Sequence, residues 1–150
     1  MKNNKYTFKK LCKEIRDLLP PNLHTTKETD TFMWIATETY DIGVYPIHYE
    51  IRLADEKVYS EIHYESASEI KTGKGSTACL KNDFKKTIGK INSLTPAIPG
   101  PEHSFYQWYR IKESGVDLSD NCSCEVLAEM EKLIKKTQSK ILKLMKKVFI

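Results

Sequence analysis

Apolar positions recur at three- and four-residue intervals near the start of the chain. Phe8, Leu11, Cys12, Ile15, Leu18 and Leu19 share one face of a helix, and Lys9, Lys10, Lys13, Glu14 and Arg16 fill the other. Pro20-Pro21 ends that helix, because neither ring nitrogen can donate a hydrogen bond. A polar stretch from Asn22 to Asp30 reads as a loop. The period then changes to two. Residues 31–41, 44–54 and 57–66 are rich in Thr, Tyr, Ile, Val and Trp and predict three antiparallel strands. Asp41-Ile42-Gly43 and Ala54-Asp55-Glu56-Lys57 supply the turns between them. Pro46 has no amide donor, so the second strand must bulge there or face an open edge.

Ser66 to Ser76 is a loop rich in Gly, Ser and Lys. A shorter helix is predicted over Thr77 to Asn92, with Leu80, Phe84, Ile88 and Ile91 on one side. The proline-rich residues 95–101 form a rigid connector that is neither helix nor central strand. His103 to Lys112 predicts a fourth strand, and a polar turn with Gly115 leads to a last helix over 121–148. There Val126, Met130, Leu133, Thr137, Ile141, Leu144 and Val148 step by four and three. Such a stripe serves either a coiled-coil seam or a long helix lying on a sheet. The expected fold is α+β in the order α-β-β-β-α-β-α. It is one domain over 1–150, with a four-stranded, mostly antiparallel sheet packed by amphipathic helices.

Composition bounds the class. The 150 residues are 40% hydrophobic and 29% charged, a folded globular balance of one-domain size. No apolar run reaches the 18 or more residues of a membrane span, and no apolar stretch follows the basic N-terminus. The expectation is therefore a cytoplasmic chain without membrane contact. The net charge of +4 is too small to imply nucleic acid by itself. Its distribution is more telling. From Glu131 onward there are seven lysines and one acid, a formal +6. Lys135, Lys136, Lys140, Lys143 and Lys147 are the expected binding residues of this basic helix, which either meets a phosphate backbone or acidic protein, or is simply solvated. Pairing of two copies through the same helix is a further expectation.

The fourth strand adds aromatic and basic side chains. Alternation puts Phe105, Tyr109 and Ile111 on one face and Tyr106, Trp108, Arg110 and Lys112 on the other. One face belongs to the core. The other, with Trp108 and Arg110, is an edge patch, a protein contact or a platform for unpaired bases.

A short echo is the most informative local feature. Ile47-His48-Tyr49-Glu50 returns as Ile62-His63-Tyr64-Glu65 on the two arms of one predicted hairpin. With Asp55-Glu56 at the tip, Glu50 faces Glu61, His48 faces His63, and Arg52 faces Tyr59. Tyr49, Ile51, Leu53, Val58, Ile62 and Tyr64 then form an apolar face, and His48, Glu50, Arg52, Tyr59, Glu61 and His63 form a polar one. Two opposed glutamates repel unless imidazoles, Arg52 or a cation compensate. Three readings follow. The face is a solvated sheet surface, or a polar network buried under other groups, or a site in which His48, Glu50, Glu61 and His63 hold a metal.

The element order resembles the core of the PD-(D/E)XK nuclease superfamily over roughly residues 5–112. The resemblance implies Glu50 as the second-strand acid, Glu61-Ile62-His63 as the third-strand motif and Glu14 as the helix acid. Glu50, Glu61 and His63 would then be catalytic, with Mg²⁺ or another divalent ion polarising a phosphate and activating water. His63 stands where the motif carries lysine, which fits a non-catalytic relative. Glu69-Ile70-Lys71 spells acid-x-Lys but falls in the loop.

Other motifs carry less. Thr72-Gly73-Lys74-Gly75-Ser76-Thr77 has the composition of a phosphate loop, yet Gly75 follows the lysine and Ser68 replaces the first glycine. Cys12, Cys79, Cys122 and Cys124 lack the spacing of a zinc site and are expected as free thiols. The leading expectation is a small non-enzymatic interaction module, needing no cofactor, whose partner is a protein or a nucleic acid. A divergent metal-dependent nuclease is the alternative, and an inhibitor or regulator from a phage or mobile element is the third.

Overall fold

The structure is a computed structural model that describes residues 5–37, 47–65, 71–72, 75–76, 80–97 and 107–148. Helix α1 spans Phe8–Leu18 and begins at Thr7, whose hydroxyl accepts a hydrogen bond from the Lys10 amide. Phe8, Leu11, Cys12 and Ile15 are buried, as their spacing predicts. The stretch expected as a loop is instead strand β1, Leu23–Glu28. Only Leu23 of this strand is buried, so no alternation of apolar residues marks it in the sequence. It forms by pairing with β2, Phe32–Thr37, with a bulge between Thr25 and Lys27. Arg16 of α1 pairs with Glu28 and ties the helix to this edge.

Strands β3, Ile47–Ala54, and β4, Lys57–Tyr64, make the central hairpin. Asp55 and Glu56 at its tip have φ of 52° and 64°. Two successive left-handed residues give the tight turn whose twist matches that of the strands. The register is the expected one: His48 lies opposite His63, Glu50 opposite Glu61 and Arg52 opposite Tyr59. The expected turn at Asp41-Ile42-Gly43 and the irregularity at Pro46 lie outside the described residues.

Beyond the hairpin, β5, Lys71–Thr72, and β6, Gly75–Ser76, form a small ladder of their own within the expected loop. Helix α2 covers Leu80–Thr87, a shorter span than the periodicity predicts. Strands β7, Leu94–Pro96, β8, Gln107–Ile111, and β9, Val116–Asp117, precede the long helix α3, Ser123–Val148. The large sheet runs β1-β2-β3-β4-β8-β7, with β9 also paired to β4. It therefore has seven strands rather than four, and every pairing is antiparallel. The additional strands are short or sit at an edge. Pro96 is accommodated because β7 is such an edge. Gly115 has φ of 118°, and a Cβ there would lie 2.6 Å from the Tyr59 ring, so the turn into β9 requires glycine.

Helix α3 lies across β3 and β4, and α1 and α2 pack beside it. Val126, Met130, Leu133, Thr137, Ile141 and Leu144 are all buried. The Tyr49 hydroxyl meets Thr137 Oγ1 at 2.6 Å, and Ser60 donates to the Val126 carbonyl. Of the two arrangements that the stripe allowed, it adopts the helix on a sheet, so it is not available as a seam between copies. Tyr49, Ile51, Val58, Ile62 and Tyr64 meet these helices in one continuous core. No helix among the described residues is long and apolar enough to cross a membrane.

Candidate functional site

The sheet face away from the helices carries the polar residues of the hairpin. Cross-strand pairing arranges them in rungs. Trp34, Glu50, Glu61 and Arg110 form one rung, and His48, His63 and Trp108 form the next. Alternation along each strand, fixed by burial of the opposite face, puts all of them on this side. The expectation of a solvated face is overturned. His48 and Glu50 are 2% and 3% exposed, and Glu61 and His63 are fully enclosed.

Among the described residues, rings and ion pairs enclose these groups and no helix lies over them. Trp34 stacks on His48 at 4.0 Å, and His63 stacks parallel to Trp108 at 4.0 Å. The two imidazoles meet edge to face at 5.1 Å. The Arg52 guanidinium lies over Trp108, Arg110 over Tyr59, and Lys27 over Trp34. The aromatic plates exclude water, and the charges beneath them neutralise one another.

Each carboxylate has defined partners. Glu61 accepts two hydrogen bonds from Arg52, at 2.9 and 3.0 Å, and contacts His63 Nε2 at 2.7 Å. Arg110 approaches it at 3.5 Å. Glu50 accepts from the Trp34 indole at 2.8 Å and lies 3.1 Å from His48 Nε2 and 3.4 Å from His63 Nδ1. Glu65 lies 3.1 Å from His63 Nδ1 and 3.7 Å from His48 Nε2. The opposed Glu50 and Glu61 that repel on paper are thus each joined to cationic or donor groups.

The charge states follow from this geometry. Burial tends to raise the Glu50 carboxyl, but its bonds to His48 and His63 prevail and hold it down at about 2. Burial likewise opposes ionisation of Glu61, and His63 and Arg52 overcome it and lower its pKa. His63 loses solvation, yet Glu50, Glu61 and Glu65 raise it to about 10, so it is an imidazolium at neutral pH. Burial lowers His48, which stays neutral despite Glu50. A charged ring and a neutral ring therefore stand side by side.

The face opens to solvent at a groove of about 440 Å³ lined by Lys27, Trp34, Glu50, Arg52, Glu65 and Trp108. Of the expected site residues, His48, Glu50, Glu61, His63, Trp108 and Arg110 are brought together here. Trp34 and Glu65 join them without having been expected. Glu65 had a signal, since it closes the second copy of the Ile-His-Tyr-Glu echo. Trp34 had none, because its side of the sheet depends on the register between β2 and β3. Glu14 stands apart on α1, where it accepts a hydrogen bond from Tyr6. The strand carrying Glu50 is third in the chain, not second, because β1 precedes it.

The basic residues of α3 occupy a separate surface. Lys132, Lys135, Lys140, Lys143 and Lys146 are exposed and Lys136 is half-buried. None of these is ion-paired with a carboxylate among the described residues; the Lys147 side chain is outside them. At 3.6 residues per turn the seven lysines of this helix fall within an arc of about 140°, opposite the buried stripe. Cys12 and Cys122 are buried free thiols and Cys124 an exposed one, while Cys79 and His103 lie outside the described residues. Comparison with protein-family models, curated proteins and solved structures returns no match.

Proposed function

We propose that the chain is a non-enzymatic binding module that meets a polyanionic partner, an acidic protein surface or a nucleic acid, through the lysine face of α3. The observation that carries this reading is the division of labour along α3. Its apolar stripe is sealed against the sheet, while its exposed lysines face outward without an ion pair among the described residues, and Glu129 and Glu131 are acids near its start. From Lys132 to Lys146 the row extends for about 21 Å at 1.5 Å per residue, enough to meet several negative charges at once.

The nuclease alternative needs acids free to hold Mg²⁺. Glu61 is instead committed to Arg52, Arg110 and His63, and the groups beside Glu50 are two imidazoles rather than further oxygens. Mg²⁺ prefers oxygen ligands and several waters, which this enclosed arrangement does not offer. Geometry thus favours binding over phosphodiester cleavage.

The test is fluorescence anisotropy with labelled duplex DNA, duplex RNA and poly-glutamate, from low to moderate salt. Affinity for at least one probe should fall steeply with salt, and Lys135→Glu/Lys140→Glu/Lys143→Glu should weaken it by about 100-fold at low salt. No binding to any probe at low salt, or binding unchanged in the variant, contradicts the proposal. The probe bound best distinguishes a nucleic acid from an acidic protein partner.

A further inference from the structure

We propose that His48, Glu50, His63 and Glu65 form a binding site for one divalent first-row transition-metal ion, with Glu61 as the carboxylate that positions His63. The site is independent of the lysine face of α3 and stands or falls separately. It arises directly from the echo in the sequence. Each arm of the hairpin contributes His-x-Glu, and a two-residue step puts both side chains of an arm on one sheet face. Antiparallel pairing sets His48 against His63, and the two glutamates close the set.

The distances suit such an ion. One ligand atom from each residue can be chosen so that all four lie within 4.8 Å of one another. Glu50 Oε1 lies 3.1 and 3.4 Å from the His48 and His63 nitrogens, and Glu65 lies 3.7 Å from His48 through Oε1 and 3.1 Å from His63 through Oε2. A tetrahedral ion with bonds of about 2.0–2.2 Å separates its ligands by about 3.3–3.6 Å, so the imidazole–carboxylate pairs are already near that spacing and only the wider pairs, up to 4.8 Å apart, need to close on the ion. Two imidazoles and two carboxylates select zinc or a neighbouring transition ion over Mg²⁺ or Ca²⁺.

A second set of contacts points the same way. Metal-bound histidines usually give their other ring nitrogen to a carboxylate, which fixes tautomer and orientation. His63 does this through Nε2, 2.7 Å from Glu61, which Arg52 grips from the other side. His63 Nδ1 is left facing Glu50 and Glu65, and an ion bound there takes the place of the Nδ1 proton, which is released to solvent. Glu50 is fixed in turn by the Trp34 indole. Both Glu50 and Glu65 line the groove, which gives an ion a route from solvent.

The experiment is titration of the chelator-treated full chain with Co²⁺, read by visible absorption and by calorimetry. The expected result is one equivalent bound, with a spectrum of nitrogen and oxygen ligands and no thiolate-to-cobalt band. Mg²⁺ at tenfold excess should not compete. Glu65→Gln, at the edge of the cluster, should weaken binding by about 10–100-fold, and Glu61→Gln by a similar factor through loss of His63 orientation. Thermal melts verify that each variant is folded. Paramagnetic shifts of the His48 and His63 ring protons in the unmodified chain provide a readout that needs no variant. Absence of stoichiometric binding overturns the proposal, as does a thiolate band, equal competition by Mg²⁺, or ring protons that do not shift.

Discussion

The two faces of the central hairpin are both buried, by opposite means. On one, Ile51, Ile62 and Tyr64 pack under the helices as an ordinary apolar core. On the other, Glu50, Glu61 and His63 are enclosed by indoles and guanidinium groups, with no helix above them among the described residues. Neighbours in sequence, such as Glu61 and Ile62, are each fully enclosed yet belong to different chemistries. The apolar face gains from every methylene removed from water. The polar face gains only while each charge keeps its partner, so it is stable as a set and fragile to single losses. A surface with those properties specifies a fixed arrangement of groups, as a binding site requires.

The largest test of that contrast removes one charge. Glu61→Ala leaves Arg52 and His63 without their shared anion, and should cost about 3–5 kcal/mol in urea unfolding. Adding Arg52→Gln to Glu61→Gln should restore part of the loss, with a coupling of at least about 1 kcal/mol. Strictly additive losses would mean that the pair does not act as a unit. On the opposite face, Thr137→Val takes away the partner of the buried Tyr49 hydroxyl and should cost about 1–3 kcal/mol. Ile62→Val, which trims one methyl group beneath α3, should cost about 0.5–1.5 kcal/mol. A Glu61→Ala loss no larger than that of Ile62→Val would erase the distinction between the faces.

The last test is read as a pH dependence and concerns the Cys12 thiol on the buried side of α1. Burial pushes Cys12 up to about 12, from an ordinary value of 9.0. The folded state therefore keeps a proton that the unfolded state releases. The resulting stability is fully present below about pH 9 and is lost as pH rises toward 12. Wild type should lose more stability over that window than Cys12→Ala. At pH 8, alkylation should label exposed Cys124 at least about tenfold faster than Cys12. Equal labelling would show that α1 opens readily from the sheet.

Much of the hairpin was legible because two signals agreed. The Asp55-Glu56 turn set the register, and the apolar alternation of Tyr49, Ile51, Val58 and Ile62 set the buried side. Strand β1 is not legible in the sequence, because LHTTKE is an exposed edge held by backbone pairing, which leaves no hydrophobic trace. Strands β7 and β9 are too short to show a period. The polar face was located but its burial was not. Enclosure by Trp34 and Trp108 depends on how β2 and β8 align with the hairpin, and that is long-range information. Strand pairing alone does not point to Glu65, because the antiparallel partner of Glu50 is Glu61, whereas its counterpart in the repeat is Glu65.

The most direct measurement compares two charge reversals of equal size at different places. Lys135→Glu/Lys140→Glu/Lys143→Glu alters α3, and Lys5→Glu/Lys9→Glu/Lys10→Glu alters exposed lysines at α1. Binding of the best polyanionic probe is measured for both as a function of salt. The α3 variant should lose about 100-fold at low salt, with a slope against log salt shallower by about 3, while the α1 variant should lose less than about tenfold. Equal losses in the two variants would mean that net charge alone attracts the partner, and would contradict a binding face on α3.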